Sequence, residues 1–276
     1  MFQDIQPHIY SNEFSDPEKD GYALYFSGNS VCTCMTDDDS VVLPSTEQFP
    51  RSDTADKVFL FTIDDVPYYW ITSELKPDPA AFRFTSLDTI RGRRPKHMIF
   101  AIATANSLRS WYTGNKYCSS CRTPMEKSDY ERALVCPYCG RTIYPTISPA
   151  IIVGIIDGDR ILVTRYKDRP YRNLALVAGF NEIGESIEDT VRREVHEETG
   201  LTVDKILFYK SQPWPQTNSL LMGFFATVKS PDGIVIQESE LSEAYWCRRE
   251  DLPEDNGFSL TGEIMQQFKE HKEPTF

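Results

Sequence analysis

Three glutamates in one short stretch, Glu194, Glu197 and Glu198, are the residues of this chain best spaced to do chemistry. Glu194 and Glu198 are four apart and Glu197 lies three past Glu194, so on a helix they share one face. Like charges at that spacing repel by about a few tenths of a kcal/mol per pair in water, and by more where water is excluded. A cation is therefore expected beside them, and an all-oxygen donor set points to Mg²⁺ or Mn²⁺. Clustered glutamates taken alone would fit a solvated acidic helix face better.

A second set is made of sulfur. Cys118-Ser-Ser-Cys121 and Cys136-Pro-Tyr-Cys139 are separated by fourteen residues. Two such knuckles supply the four thiolates of a closed tetrahedral zinc site, with no open position for catalysis. The alternative is a pair of redox dithiols. Cys32 and Cys34, one residue apart, are expected to be ordinary free thiols, and Asp37-Asp-Asp39 a solvated turn.

The glutamates need a helix to hold them, and the sequence predicts one. From Glu185 onward there is no Gly or Pro until Gly200, and Ile187, Val191 and Val195 form an apolar stripe at four-residue spacing. Gly200 reads as the C-terminal stop. Before it, Ala150–Ile156 and Arg160–Thr164 read as a hairpin turning at Asp157-Gly-Asp159, and Leu174–Val177 as a strand leading to Gly179. After it, strands are expected at Lys205–Tyr209, Leu220–Val228, Ile234–Ile236 and Tyr245–Arg248. Ser259 is expected to cap a last helix carrying Leu260, Ile264 and Phe268 on one face. Strands on both sides of a central helix, plus a final helix, predict an α/β/α sandwich with a mixed sheet.

The residues before it read as strands at Tyr22–Phe26, Val41–Leu43, Val58–Thr62 and Tyr68–Ile71, then as an alanine-rich helix from Lys96 to Tyr112 that stops at Gly114. Arg91-Gly-Arg-Arg-Pro-Lys96, the one dense basic patch, is expected to be a solvated linker. The predicted fold class is α+β. It comprises an N-terminal mixed α/β domain over residues 1–112, a four-cysteine zinc ribbon over 113–144 and the sandwich over 145–276.

At 276 residues the chain can bury a substantial core, and its net charge of -12 argues against a broad nucleic-acid or anionic-membrane footprint. An anionic ligand must then be held locally. No apolar run is long enough to span a bilayer, and no signal-peptide core follows Met1, so a cytoplasmic protein with no membrane partner is expected.

One spacing ties these features together. Gly179, five residues, Glu185, seven residues, Arg193-Glu194-Val195, one residue, Glu197-Glu198, one residue, Gly200-Leu201 matches every defined position of the Nudix box. The chain therefore resembles a Nudix hydrolase. Ser211-Gln-Pro-Trp-Pro-Gln-Thr-Asn-Ser219, together with the upstream four-cysteine ribbon and Tyr144-Pro145, is similar to the NADH pyrophosphatase (NudC-type) branch. That branch typically has Phe-Pro where this chain has Gln216-Thr217.

The resemblance covers roughly residues 97–275. It implies cleavage of the diphosphate of NAD(H) to NMN(H) and AMP, and removal of NAD caps from RNA 5′ ends. It implies divalent-metal ligands at Glu194, Glu198, Glu240 and the Ala178 carbonyl, and zinc on Cys118, Cys121, Cys136 and Cys139. Glu131, Tyr144, Phe180, Ser211, Gln212, Trp214, Ser219 and Gly262 would bind substrate, Tyr144 and Phe180 as aromatic walls. A homodimer is implied as well.

For catalysis, Glu197 or Glu240 could accept a proton from water or position it. Arg193 is expected to pair with Glu185 and fix the loop against the helix, and His196 to lie on the surface. Two other readings remain open here. One is a Nudix enzyme acting mainly on ADP-ribose, a dinucleoside polyphosphate or capped RNA; the other is a nucleotide-sensing module without turnover.

Overall fold

A computed structural model of the chain describes residues 1–48, 57–72, 81–167 and 173–276. The chain divides into two compact units, Phe2–Thr146 and Ile147–Phe276, the second including Met1. No helix among the described residues is long and apolar enough to cross a membrane.

In the first unit, strands β1 (Tyr10–Ser11), β2 (Tyr22–Ser27), β3 (Ser30–Met35), β4 (Val41–Val42), β5 (Lys57–Ile63), β6 (Val66–Ile71) and β7 (Arg83–Ser86) form a seven-stranded sheet. Its order is β1-β5-β6-β2-β3-β4, with β7 on β3. The β5–β6 hairpin turns at Asp64 and Asp65, both at positive φ, the backbone that a tight hairpin matching the strand twist requires. Leu60, Phe61, Tyr68 and Tyr69 are buried in its core. A one-turn helix α1 (Leu87–Ile90) leads to α2 (Lys96–Gly114), the expected alanine-rich helix. All four strands expected here fall on strands of the sheet, with Leu43 lying just past β4. The short β1 and the polar β7 had no apolar alternation to announce them. Cys32 and Cys34 lie on β3 as free thiols.

The cysteine module ends this unit. Strands β8 (Glu126–Lys127), β9 (Leu134–Val135) and β10 (Thr142–Ile143) make a three-stranded antiparallel sheet in the order β10-β9-β8. Each knuckle closes in the same way. Cys118 N–H donates to the Thr123 carbonyl and Arg122 N–H to the Cys118 carbonyl; Cys136 N–H donates to Arg141 and Gly140 N–H to Cys136. Arg122 and Gly140, equivalent in the two turns, both take positive φ. The four sulfurs lie within 4.8 Å of one another, a set able to hold one metal ion and consistent with the expected ribbon. Backbone N–H groups pull the Cys118 and Cys136 thiols down, and the Thr123 hydroxyl does so for Cys121. At Cys139 the Arg141 N–H acts the same way, but the sulfurs of Cys136 and Cys118 outweigh it and push the thiol up to about 12.

The second unit contains β11 (Ser148–Asp157), β12 (Arg160–Tyr166), β13 (Val177–Phe180), α3 (Ile187–Thr199), β14 (Val203–Trp214), β15 (Ser219–Val228), β16 (Leu241–Arg248) and α4 (Leu260–Lys269). Its six-stranded sheet runs β14-β15-β11-β12-β16, with β13 on β11; the β11–β15 pair is parallel and the others are antiparallel. Strand β11 is apolar at nearly every position because both its faces are covered. Ile151, Val153 and Ile155 pack with Val191 and Val195 of α3, whereas Ile152 and Ile156 pack with Leu260, Ile264 and Phe268 of α4. This is the expected sandwich. Gly154 lets α4 approach, since a Cβ there would lie 2.7 Å from the Ile264 side chain.

Two expected strands are displaced. Leu174–Val177 is not a continuous strand: Ala175 makes an isolated bridge to Thr164, and regular pairing begins only at Val177. Ile234–Ile236 is not a strand, because its backbone bonds serve a helix end; Val235 N–H donates to the Thr199 carbonyl and Gln237 N–H to Glu198.

Cys136→Ser is expected to lower bound zinc from about one ion per chain to near none, and to lower the thermal midpoint, because ligand loss removes folding free energy from a module with little core. Zinc analysis beside a melting curve checks this; a variant that stays zinc-loaded and equally stable overturns it.

Candidate active site

The β11–β13 ladder sets Ala178 opposite Ile152, Gly179 opposite Ile151 and Phe180 opposite Ala150. The chain then crosses a short loop to Ser186, whose side chain caps α3 by accepting from the Asp189 N–H. At the other end Gly200 takes the left-handed conformation and closes the helix on the His196 carbonyl, as its sequence position predicts. His196 is exposed.

Arg193 fastens loop to helix. Its Nε and Nη2 donate to the two oxygens of Glu185 at 2.6 and 3.0 Å, and Nη2 also reaches the Phe180 carbonyl at 2.9 Å. Nη1 donates to Glu194 at 2.7 Å and to Glu197 at 3.0 Å. Glu185 accepts further bonds from the Thr190 hydroxyl and the Glu182 N–H. The Arg193 guanidinium therefore holds the Glu185 carboxyl at about 2, well below its ordinary value of 4.5. Arg193 itself is pushed up by the Glu185 carboxylate.

Glu194 is different. Its side chain is 12% exposed, and burial pushes its carboxyl up against the opposing pull of Arg193; Glu197 and Glu240 add like charge. It sits over Gly179, where any Cβ would overlap the Glu194 carboxyl. The glycine of the box thus makes room for a carboxylate rather than for a turn. Glu198, one turn further on, is almost wholly buried at 1% exposure, and Glu197 is exposed. A half-buried carboxylate whose neighbours share its charge, with an all-oxygen donor set around it, suits a hard divalent cation.

A cavity of about 600 Å³ opens at this point, and its wall includes Ala178, Gly179, Phe180, Arg193, Glu194 and Glu240. Trp214, Thr217 and Ser219 also line it. Trp214 is held edge-on by Phe258 at 5.9 Å, and the Thr217 and Ser219 hydroxyls lie 2.6 Å apart. Phe180 is half exposed at the rim. Tyr166, Lys167, Glu182 and Ser239 also face this cavity, and the sequence reading missed them. Tyr166 ends β12 opposite Leu241, and Lys167 just beyond it donates its N–H to the Glu240 carbonyl; no local spacing could have signalled that.

The remaining expected residues lie elsewhere. Gln212 is fully buried, its amide donating to the Phe258 carbonyl at 3.0 Å and accepting from the Leu260 N–H at 2.7 Å, so it clamps the start of α4. Ser211 is exposed on β14 opposite Met222. Gly262 lines a second cavity of about 430 Å³ with Asp255 and Ser259. In the first unit, the Tyr144 hydroxyl donates to Glu131 at 2.8 Å, a bond that pushes the phenol up.

Two outcomes are expected. Gly179→Ala should displace Glu194 and weaken Mn²⁺ binding by at least about tenfold, a loss of ~1.4 kcal/mol, read by titration calorimetry; unchanged affinity would disconnect Glu194 from a metal site. Because the folded Glu185 titrates near 2 and an ordinary glutamate near 4.5, its stabilisation is complete above about 4.5 and fades as pH falls toward 2. Glu185→Gln should therefore melt lower than the parent at pH 7, with the difference shrinking below pH 4.5; parallel melting-temperature profiles would contradict this.

Residues 146–268 match the NUDIX domain family. The chain is 42% identical over 146 residues to a protein of Salmonella heidelberg named NAD-capped RNA hydrolase NudC, covering 53% of this chain and 56% of that one. It is 40% identical over 149 residues to a protein of the same name from Pseudomonas aeruginosa, covering 54% and 53%. The matched region thus spans about half the length of these curated relatives. A NUDIX hydrolase structure from Nitrosomonas europaea covers 58% of this chain and 96% of its own at 22% identity, with a TM-score of 0.48. Glycine, arginine and three box glutamates stand in one arrangement within residues 146–268, the stretch that matches the NUDIX domain family.

Proposed function

We propose that the chain is a metal-dependent pyrophosphohydrolase that cleaves NAD(H) to NMN(H) and AMP and also removes NAD from capped RNA 5′ ends. The observation that carries this is Glu194, half-buried over Gly179 in a cavity that also holds Glu240 and is walled by Phe180 and Trp214. The relatives' name supplies the substrate class.

Glu194, Glu198, Glu240 and the Ala178 carbonyl would hold Mg²⁺ or Mn²⁺. Once bound, such an ion lowers the pKa of water and neutralises charge building on the phosphate oxygens. The chain's own residues do the rest. Arg193 holds Glu194 and Glu197 in place through its Nη1 donors. Glu197 or Glu240 accepts the proton as water adds across the P–O–P bridge, one phosphate leaving with each nucleotide half. Phe180 offers a base an exposed ring face, and Trp214 and Ser219 form part of the cavity wall. Ser211, Gln212 and Gly262 would act around that wall, Gln212 by holding α4 in place.

Tyr144 would form a second aromatic wall and Glu131, bonded to its hydroxyl, would reach the ligand; the chain would act as a homodimer, and zinc would sit on the four cysteines. The working organisation is an N-terminal domain over 1–112, a ribbon over 113–144 and a catalytic domain over 145–276, acting in the cytoplasm. A second reading rests on Thr217, which lines the cavity and whose hydroxyl lies within hydrogen-bond distance of Ser219. A polar group there favours a ligand with extra hydrogen-bonding capacity, and ADP-ribose or another nucleoside diphosphate derivative would then be the main substrate.

Incubation with NADH and Mn²⁺ is expected to give NMNH and AMP by chromatography, with none in the metal-free control. Glu198→Gln is expected to lower kcat by at least about 10²-fold while nucleotide still binds. Faster hydrolysis of ADP-ribose than of NADH would transfer the assignment to the second reading.

A further inference from the structure

The cavity beside Glu194 has two cations in its wall among the described residues, Arg193 and Lys167. They are not equivalent. Every nitrogen of the Arg193 guanidinium donates to Glu185, Glu194, Glu197 or the Phe180 carbonyl, so Arg193 is committed to holding the helix and loop. Lys167 is exposed, and its ammonium donates at 2.9 Å to the Glu238 carbonyl. An ammonium has three donors, and a carbonyl acceptor neutralises none of its charge.

The backbone fixes where that charge stands. Lys167 N–H donates to the Glu240 carbonyl at 2.8 Å, and Glu240 N–H closes a turn on Gln237. Lysine and glutamate are thus set side by side at the same wall as Ser239, with Glu182 and Glu194 also lining the cavity. In a chain of net charge -12, a local positive charge beside these carboxylates is what an incoming polyanion requires. A compact ammonium on a flexible stem suits the spread charge of a phosphate without demanding one bidentate geometry.

We infer that Lys167 is a substrate-binding residue whose ammonium contacts a phosphate oxygen of the diphosphate. This rests on the proposed reading of the cavity as a diphosphate site, but not on the identity of either nucleoside. It makes Lys167 a specificity residue for the bridge itself, where the aromatic walls serve the bases.

The test uses methylenediphosphonate, a non-hydrolysable diphosphate, titrated calorimetrically into the full chain at saturating Mn²⁺. Lys167→Met and Lys167→Gln are each expected to weaken it by about tenfold or more, the range of a charge-assisted hydrogen bond. Lys167→Arg should stay within about threefold of the parent. Glutamine can keep the Glu238 bond without the charge, so it separates phosphate contact from support of the Glu240 turn. Parent-like affinity in Lys167→Gln, or no binding by the parent, overturns the inference. The same variants should raise KM for NADH more than they lower kcat. Parent turnover of NADH with methylenediphosphonate affinity indifferent to Lys167 would remove the lysine and leave the NAD(H) reading. Lysine-dependent methylenediphosphonate binding without NADH turnover would do the reverse.

Discussion

One guanidinium organises the unit from Ile147 to Phe276. Arg193 joins the Gly179–Ser186 loop to the helix behind it by closing on both oxygens of Glu185 and on the Phe180 carbonyl, and it also reaches Glu194 and Glu197. An arginine fork suits this because its donors are fixed in one plane, so the partners acquire fixed positions relative to one another. Ile183, the loop's apolar side chain beyond Phe180, is fully exposed. Arg193 also orients Glu194, a carboxylate that would hold a metal, without being one of the proposed ligands.

This arrangement separates two jobs that one acidic helix would otherwise confuse. Glu185 is fully ionised and spent on structure, its carboxyl held near 2. Glu194 is pushed the other way by burial and by Glu197 and Glu240. The two carboxylates differ by environment rather than by chemistry: the Arg193 guanidinium dominates at Glu185 and burial dominates at Glu194. Gly179 completes the contrast by leaving the space into which Glu194 folds.

Much of this was legible in the residue order, for reasons that can be traced. The α3 helix, its glycine stop and its apolar stripe follow from local spacing, and β11 declared itself through an apolar run that both helices cover. The cysteine knuckles were equally local, since two short turns bring each pair together. What failed was non-local. Ile234–Ile236 has the composition of a strand, yet its amides serve the end of α3; Leu174–Val177 lacks a continuous partner before Val177. Gln212 is a substrate contact only by family resemblance, and its bonds to Phe258 and Leu260 become visible only in the tertiary fold. Lys167 and Tyr166 were invisible because pairing with Glu240 and Leu241, not spacing along the chain, sets their place.

The Gln212 clamp also bears on how the molecule opens. Strand β14 supplies both Gln212, buried against α4, and Trp214, in the cavity wall. The first amide of α4 is held by a buried side chain two residues from that wall, so fraying of the helix start would strand a polar amide in an apolar layer. Local breathing there is suppressed, and the cavity wall and the α4 layer should exchange their amide hydrogens as one cooperative unit rather than as a loose rim on a firm core.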